Sequence, residues 1–175
     1  MGFRRLGQNV LVSTKCSLYA PETISLGDHA RIDDFAMVAG NVEIGRNVHL
    51  TAYCNVEGGR AGVIIGDFVT LAYGCHVIAQ SDDYSGRTMT NSTIPQRFKN
   101  EESRMVRIGN HVILGTGTVV LPGVEIPEGV AAGAMTLFTR SVDPWTMYVG
   151  SPARRLKDRS RELLALTEEF LATEE

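Results

Sequence analysis

Residues 108–143 read IGNHVI, LGTGTV, VLPGVE, IPEGVA, AGAMTL, FTRSVD, six lines of six with no remainder. The first position is Ile108, Leu114, Val120, Ile126, Ala132 and Phe138, all apolar. The fifth is Val112, Thr118, Val124, Val130, Thr136 and Val142, all β-branched. Six residues make about 1.67 turns of an α-helix, so a helix would scatter these positions around its circumference. Short β-strands joined by tight turns instead point positions one and five of every repeat into a common core. The second position is often glycine (Gly109, Gly115, Gly133), which suggests backbone angles that a Cβ would forbid. A repeat of this length is the signature of a parallel β-helix.

Outward from this stretch the same phase runs back through Val56, Leu50, Ile44, Val38, Ile32 and Leu26 at strict intervals of six. Gly58-Gly59-Arg60 inserts three residues, after which Ile65, Leu71 and Val77 resume the phase. Between residues 82 and 107 the pattern stops. A long loop inside a tightly periodic fold is expected to serve function. Residues 24–82 should make about three coils and residues 108–143 about two more. Residues 1–23 read as an N-terminal cap on the solenoid, with Asn9–Val12 and Cys16–Tyr19 as candidate strands. The expected organisation is therefore an all-β repeat domain over 1–157 with an inserted loop at 82–107, then a C-terminal helix over 158–175. Ser160 can cap that helix, whose Leu163, Leu166 and Phe170 form one apolar stripe. Such a stripe needs a surface, either its own solenoid or a neighbouring subunit.

Bulk properties narrow the function. The 175 residues suit one domain, and 43% apolar content suffices for a core. A net charge of -3 and a pI near 5.8 argue against a nucleic-acid footprint. No apolar run reaches the roughly 18 residues of a membrane span, and Met1-Gly2-Phe3-Arg4-Arg5 opens no signal peptide. The three cysteines show no CxxC spacing, and Cys54 and Cys75 fall on the inward fifth position as packing filler. A reducing cytoplasm fits this usage.

Three landmarks resemble the hexapeptide-repeat acyltransferases, most closely the sugar O- and N-acetyltransferases of the galactoside, maltose and polysaccharide-cluster type. They are Ile108-Gly-Asn-His-Val-Ile-Leu-Gly-Thr116; Leu121-Pro-Gly-Val-Glu-Ile126 with Ala134 and Phe138-Thr139-Arg140; and Tyr148-Val-Gly-Ser-Pro-Ala-Arg-Arg-Leu156. The resemblance covers about Ile24 to Lys157 and implies a left-handed parallel β-helix. It also implies a cytoplasmic homotrimer with active sites between neighbouring prisms, and acetyl-CoA as acyl donor without any metal. The CoA-binding residues it implies are Thr116, Ala134, Thr139, Arg154 and Lys157, the last two meeting phosphates. Ile113 departs from the family, which has an aromatic residue there.

Attack on a thioester needs a nucleophile relieved of a proton. Where the galactoside branch carries a histidine as base at the start of the loop, this chain has Ser81-Asp82-Asp83-Tyr84, and the loop holds no histidine. Asp82 takes the base position, with Asp83 and Tyr84 beside it as substrate-binding residues. Crowding of the two carboxylates could raise one of them. His49 matches a sugar-pocket aromatic position and is the alternative catalytic group; Thr51 and Asn55 would line the same pocket. His29 and His111 sit on turn positions, and His76 faces outward from a strand. The resulting expectation is transfer of an acetyl group from acetyl-CoA to a hydroxyl of a sugar or nucleotide-sugar, in cell-surface polysaccharide biosynthesis. The alternative is N-acetylation of an amino-sugar nucleotide, which the missing loop histidine favours. A γ-carbonic-anhydrase-like zinc site would need a third histidine after His111, and none follows. A non-catalytic trimeric scaffold would leave the CoA-like C-terminal motif without a purpose.

Overall fold

The computed structural model describes residues 2–173. Residues 1, 174 and 175, the extremes of the expected cap and helix, lie outside the described residues. The chain winds as a three-sided parallel β-helix. The first face carries Arg5–Leu6, Ile24–Leu26, the end of Met37–Ile44, the end of Asn55–Ile65, Val106–Ile108 and Glu125–Ile126. The second carries Leu11–Val12, Arg31–Ile32, His49–Leu50, Thr70–Leu71, Ile113–Leu114, Ala131–Ala132 and Thr146–Val149. The third carries Ser17–Tyr19, the starts of Met37–Ile44 and Asn55–Ile65, then His76–Ile78, Val119–Val120 and Leu137–Phe138. Six coils are complete, and Thr146–Val149 opens a seventh, against which Arg154–Asp158 pairs antiparallel.

Register explains the sequence period. Ile32, Leu50, Leu71, Leu114, Ala132 and Tyr148 stand directly above one another, each one coil from the next. Every first-position residue from Leu26 to Phe138 in the periodic blocks is buried, as are the fifth-position Val112, Thr118, Val124, Val130 and Thr136. The second-position glycines have a different cause from the one their frequency suggests. Left-handed backbone occurs at the fourth position, at His111, Gly117, Gly123, Gly129 and Met135. At the second position the constraint is proximity: a Cβ on Gly109 would stand 2.6 Å from Glu128 N, and one on Gly115 2.7 Å from Ala132 O.

Residues 5–19, within the expected cap, wind into a coil of their own with one strand on each face. The C-terminal helix spans Leu163–Ala172 and packs on its own solenoid through Phe170, edge-on to Phe68 at 6.3 Å. Arg159 ties its approach down, donating to the carbonyls of His111 (2.6 Å) and Gly129 (3.1 Å). Ser160 accepts from the Glu162 N–H at 3.2 Å, just ahead of the first turn.

The long excursion is shorter than the sequence suggests. Gln80–Ser81 pairs antiparallel with Glu102–Ser103, closing its neck, and the first face resumes at Val106. Lys99 and Glu101 pair at 2.7 Å, with Gln80 donating to the other carboxylate oxygen at 3.2 Å. The loop is therefore braced from its base.

Candidate active site

The donor-side candidates fall along one corner and one end. Thr116 and Ala134 occupy the same turn, between the second and third faces, on successive coils, and the Met135 N–H bonds to Thr116 O at 2.8 Å. Beyond them, at the last coil, a cavity of about 660 Å³ is lined by Thr139, Arg140, Ser141, Tyr148, Arg154 and Arg155, among others. Three guanidinium groups and the hydroxyls of Thr139, Ser141 and Tyr148 give this cavity the donors that phosphates need. Lys157 does not line it; it lies in the final strand, opposite Met147. Arg140 does, and its place in the Phe138-Thr139-Arg140 run was the signal that could have found it.

The acceptor-side candidates sit on two different faces. A second cavity, of about 340 Å³, lies where the loop leaves the third face, lined by Glu57, Ile78, Ser81, Asp82, Tyr84 and Glu101, among others. Asp82 accepts the Asn91 N–H at 3.3 Å on both oxygens, which fixes its carboxylate across the loop. Asp83 is occupied otherwise, accepting from the Ser85 N–H (2.8 Å) and the Thr88 hydroxyl (2.9 Å). The Ser85 bonds and the Thr88 hydroxyl hold its carboxyl below the usual range, so crowding does not raise it. Tyr84 is 90% exposed at the rim. Glu57 went unnoticed in the sequence. Its signal was a charge at a second position, immediately before the glycine insert.

His49 projects from the second face. Its Nε2 lies 2.8 Å from Asp33 Oδ2, and Arg31 donates to the other oxygen of Asp33 at 2.7 Å. Burial pushes the Asp33 carboxyl up, but the bonds and charges of Arg31 and His49 outweigh it and hold the group below the ordinary carboxylate range. Thr51 is buried, and its hydroxyl is spent on Leu71 O at 2.9 Å. Asn55 stands between Met37 and His76 on the third face, with its Oδ1 buried and without a donor. His111 stacks on Phe68 at 5.2 Å, and His29 occupies a left-handed turn. Cys54 and Cys75 are buried in the core. No group of three or more His, Cys, Asp or Glu that could hold a metal occurs among the described residues. No described helix is long and apolar enough to cross a membrane.

Comparison with known proteins places this arrangement. The model of the bacterial transferase hexapeptide (six repeats) matches residues 23–58. A dTDP-4-amino-4,6-dideoxy-D-glucose acyltransferase of Escherichia coli is 36% identical over 173 residues, covering 97% of this chain and 90% of that protein. The chain belongs to the hexapeptide-repeat acyltransferases. Its fold is the left-handed β-helix of that family. The acyltransferase also resembles the crystal structure of AntD, an N-acyltransferase from Bacillus cereus in complex with dTDP and 3-hydroxybutyryl-CoA. The two are 42% identical with a TM-score of 0.95, over 98% of this chain and 92% of AntD. A putative lipopolysaccharide biosynthesis O-acetyl transferase, WbbJ of Escherichia coli K12, is 29% identical over 81% of this chain and 71% of its own length. The enzyme is an acyl-CoA-dependent acyltransferase.

Proposed function

We propose that this acyltransferase moves an acyl group from CoA to the amino group of a nucleotide-linked amino sugar, within the cytoplasmic supply of cell-surface polysaccharide. The observation that carries it is the loop cavity, where Asp82 is offered at the position of a basic histidine with Glu57 beside it and no imidazole in the loop. A carboxylate is intrinsically a weaker base than an imidazole. It is poorly suited to stripping a sugar hydroxyl and well suited to receiving and orienting an ammonium. The two relatives that name an amino sugar or N-acylation support the same choice.

In this chemistry the ammonium gives up one proton to the Asp82 carboxylate, which passes it to solvent, and the free amine attacks the thioester carbonyl. The C–N bond forms as the C–S bond breaks, and the departing CoA thiolate ends as the thiol with the second amine proton. Asp82 holds the nitrogen in line. Thr116, Ala134 and Thr139 carry the pantetheine, and Arg154 with Arg140 holds the phosphates. His49 with Asp33 faces away from the loop on its own chain, so a homotrimer, in which the second face of one prism meets the loop of the next, brings them together.

The test is thiol release from acetyl- and butyryl-CoA with dTDP-4-amino-4,6-dideoxyglucose against the matching 4-hydroxy sugar nucleotide. Turnover of the amine with an amide product by mass spectrometry is expected. Turnover of the hydroxy sugar alone would overturn the proposal in favour of O-transfer.

A further inference from the structure

From the second coil to the sixth, the corner between the second and third faces holds one left-handed residue per coil: Phe35, Tyr53, Gly74, Gly117 and Met135, with φ of 60°, 64°, 65°, 70° and 58°. Their N–H groups bond to Lys15, Asp34, Ala52, Tyr73 and Thr116 carbonyls respectively, each in the turn one coil before. The five therefore stand in one outer column. Phe35 and Tyr53 stack ring on ring at 5.2 Å, and Tyr53 is 61% exposed.

Elsewhere a glycine at such a corner has its missing side chain replaced by a neighbour. A Cβ on Gly117 would stand 2.5 Å from the Met135 sulfur, and one on Gly123 2.8 Å from the Arg104 guanidinium. One on Gly129 would collide with the Trp145 ring. A Cβ on Gly74 would meet nothing within 4 Å. The column thus has one unfilled step, bounded by Tyr53 on one side and by Met135, folded over Gly117, on the other.

This step lies on the track of the donor. If the phosphates sit among Arg140 and Arg154 at the seventh coil, the chain passing Thr116 and Ala134 runs back along this same corner. From the seventh coil to the fourth, which carries Gly74, is three steps of about 4.8 Å, or about 14 Å. The pantetheine arm has twelve chain atoms, matching about four extended residues, or about 14 Å. Its thioester end therefore arrives at the open step.

We propose that the notch at Gly74 receives the acyl group, and that the absence of a side chain there admits acyl chains longer than acetyl. The inference rests on the CoA-dependent function and on the phosphate placement above. Its walls, an aromatic face and a thioether, suit an aliphatic chain rather than a charged one.

The wild-type enzyme should use butyryl-CoA as well as acetyl-CoA. Gly74→Met should fold, since Met135 holds the same backbone conformation in the same column. It should lower the ratio of kcat/KM for butyryl-CoA to that for acetyl-CoA by about 10- to 200-fold, the worth of a methylene-scale misfit, while the acceptor KM changes little. Gly74→Ala should show the same order to a smaller degree, and decides the matter if the methionine variant does not fold. Equal loss with both donors, an unchanged ratio, rejection of butyryl-CoA by the wild type, or a changed oligomeric mass in Gly74→Met would each overturn the inference. A wild type active on its acceptor with no chain-length response fails this inference alone. A wild type inactive with every donor and acceptor fails the underlying function.

Discussion

At Asp82 the whole proposed chemistry depends on two carboxylate oxygens that the Asn91 N–H already orients. Asp82→Asn keeps the size and one acceptor but removes the charge. Turnover should fall by about 10² to 10⁴, the usual worth of general acid–base assistance, with little change in thermal midpoint. His49→Ala should cost less if His49 only lines the pocket, and a comparable loss would move the proton-handling role to it. On the donor side, Arg140→Ala and Arg154→Ala should each raise the KM for acetyl-CoA several-fold with the acceptor KM unchanged, and Lys157→Ala should do much less. Titrations of each variant against both substrates check this. Asp33 is one of the carboxylates, with Asp34, Asp83 and Glu101, that contribute pH dependence on the acid side. Its folded carboxyl is depressed, so its contribution is present above the unfolded pKa of about 3.9 and is lost as pH falls through the folded value. Thermal midpoints measured from pH 6 to pH 3 should drop below about pH 4, and Asp33→Asn should flatten part of that drop.

Among the elements, the strands were legible and the turns less so. Positions one and five repeat because an inward side chain recurs at each face, so six apolar columns could be read from residues alone. Phe138 is the largest fully buried side chain and packs edge-on to Tyr148 at 5.9 Å, at the seam between the sixth coil and the C-terminal closure. Phe138→Ala should cost about 3–5 kcal/mol, visible as a lower denaturation midpoint with an unchanged slope. What the sequence hid is the cause of its own glycines. A glycine chosen for a neighbour's proximity and one chosen for its φ look alike in one dimension, and only the stacking of coils separates Gly115 from Gly117. The N-terminal coil was obscured for a related reason. Leu6 and Leu11 are more than half exposed at the end of the stack, so the apolar period that marks the other coils has less to enforce it there. Of the candidate site, the motifs led to the regions where the two cavities lie. Glu57 was missed because a lone charge ahead of the glycine insert breaks no pattern strongly, and Arg140 stood inside the Phe138-Thr139-Arg140 run without being singled out.

For the molecule as a whole, the separation of Asp82 from His49 onto different faces is the reason to expect assembly. A single prism offers only half of each proposed site, and light scattering should report three times the 19.1 kDa chain mass. A monomer retaining full activity would remove His49 from the chemistry.

The Gly58–Gly62 excursion and the long loop share one feature: both depart from the same edge of the prism, between the third face and the first. At the other two edges each turn keeps the fixed pitch, where one added residue would turn every following side chain inside out. Variation in length is thus confined to a single port. New substrate specificities can be grafted there, coil by coil, while the stack that carries the cofactor stays in phase.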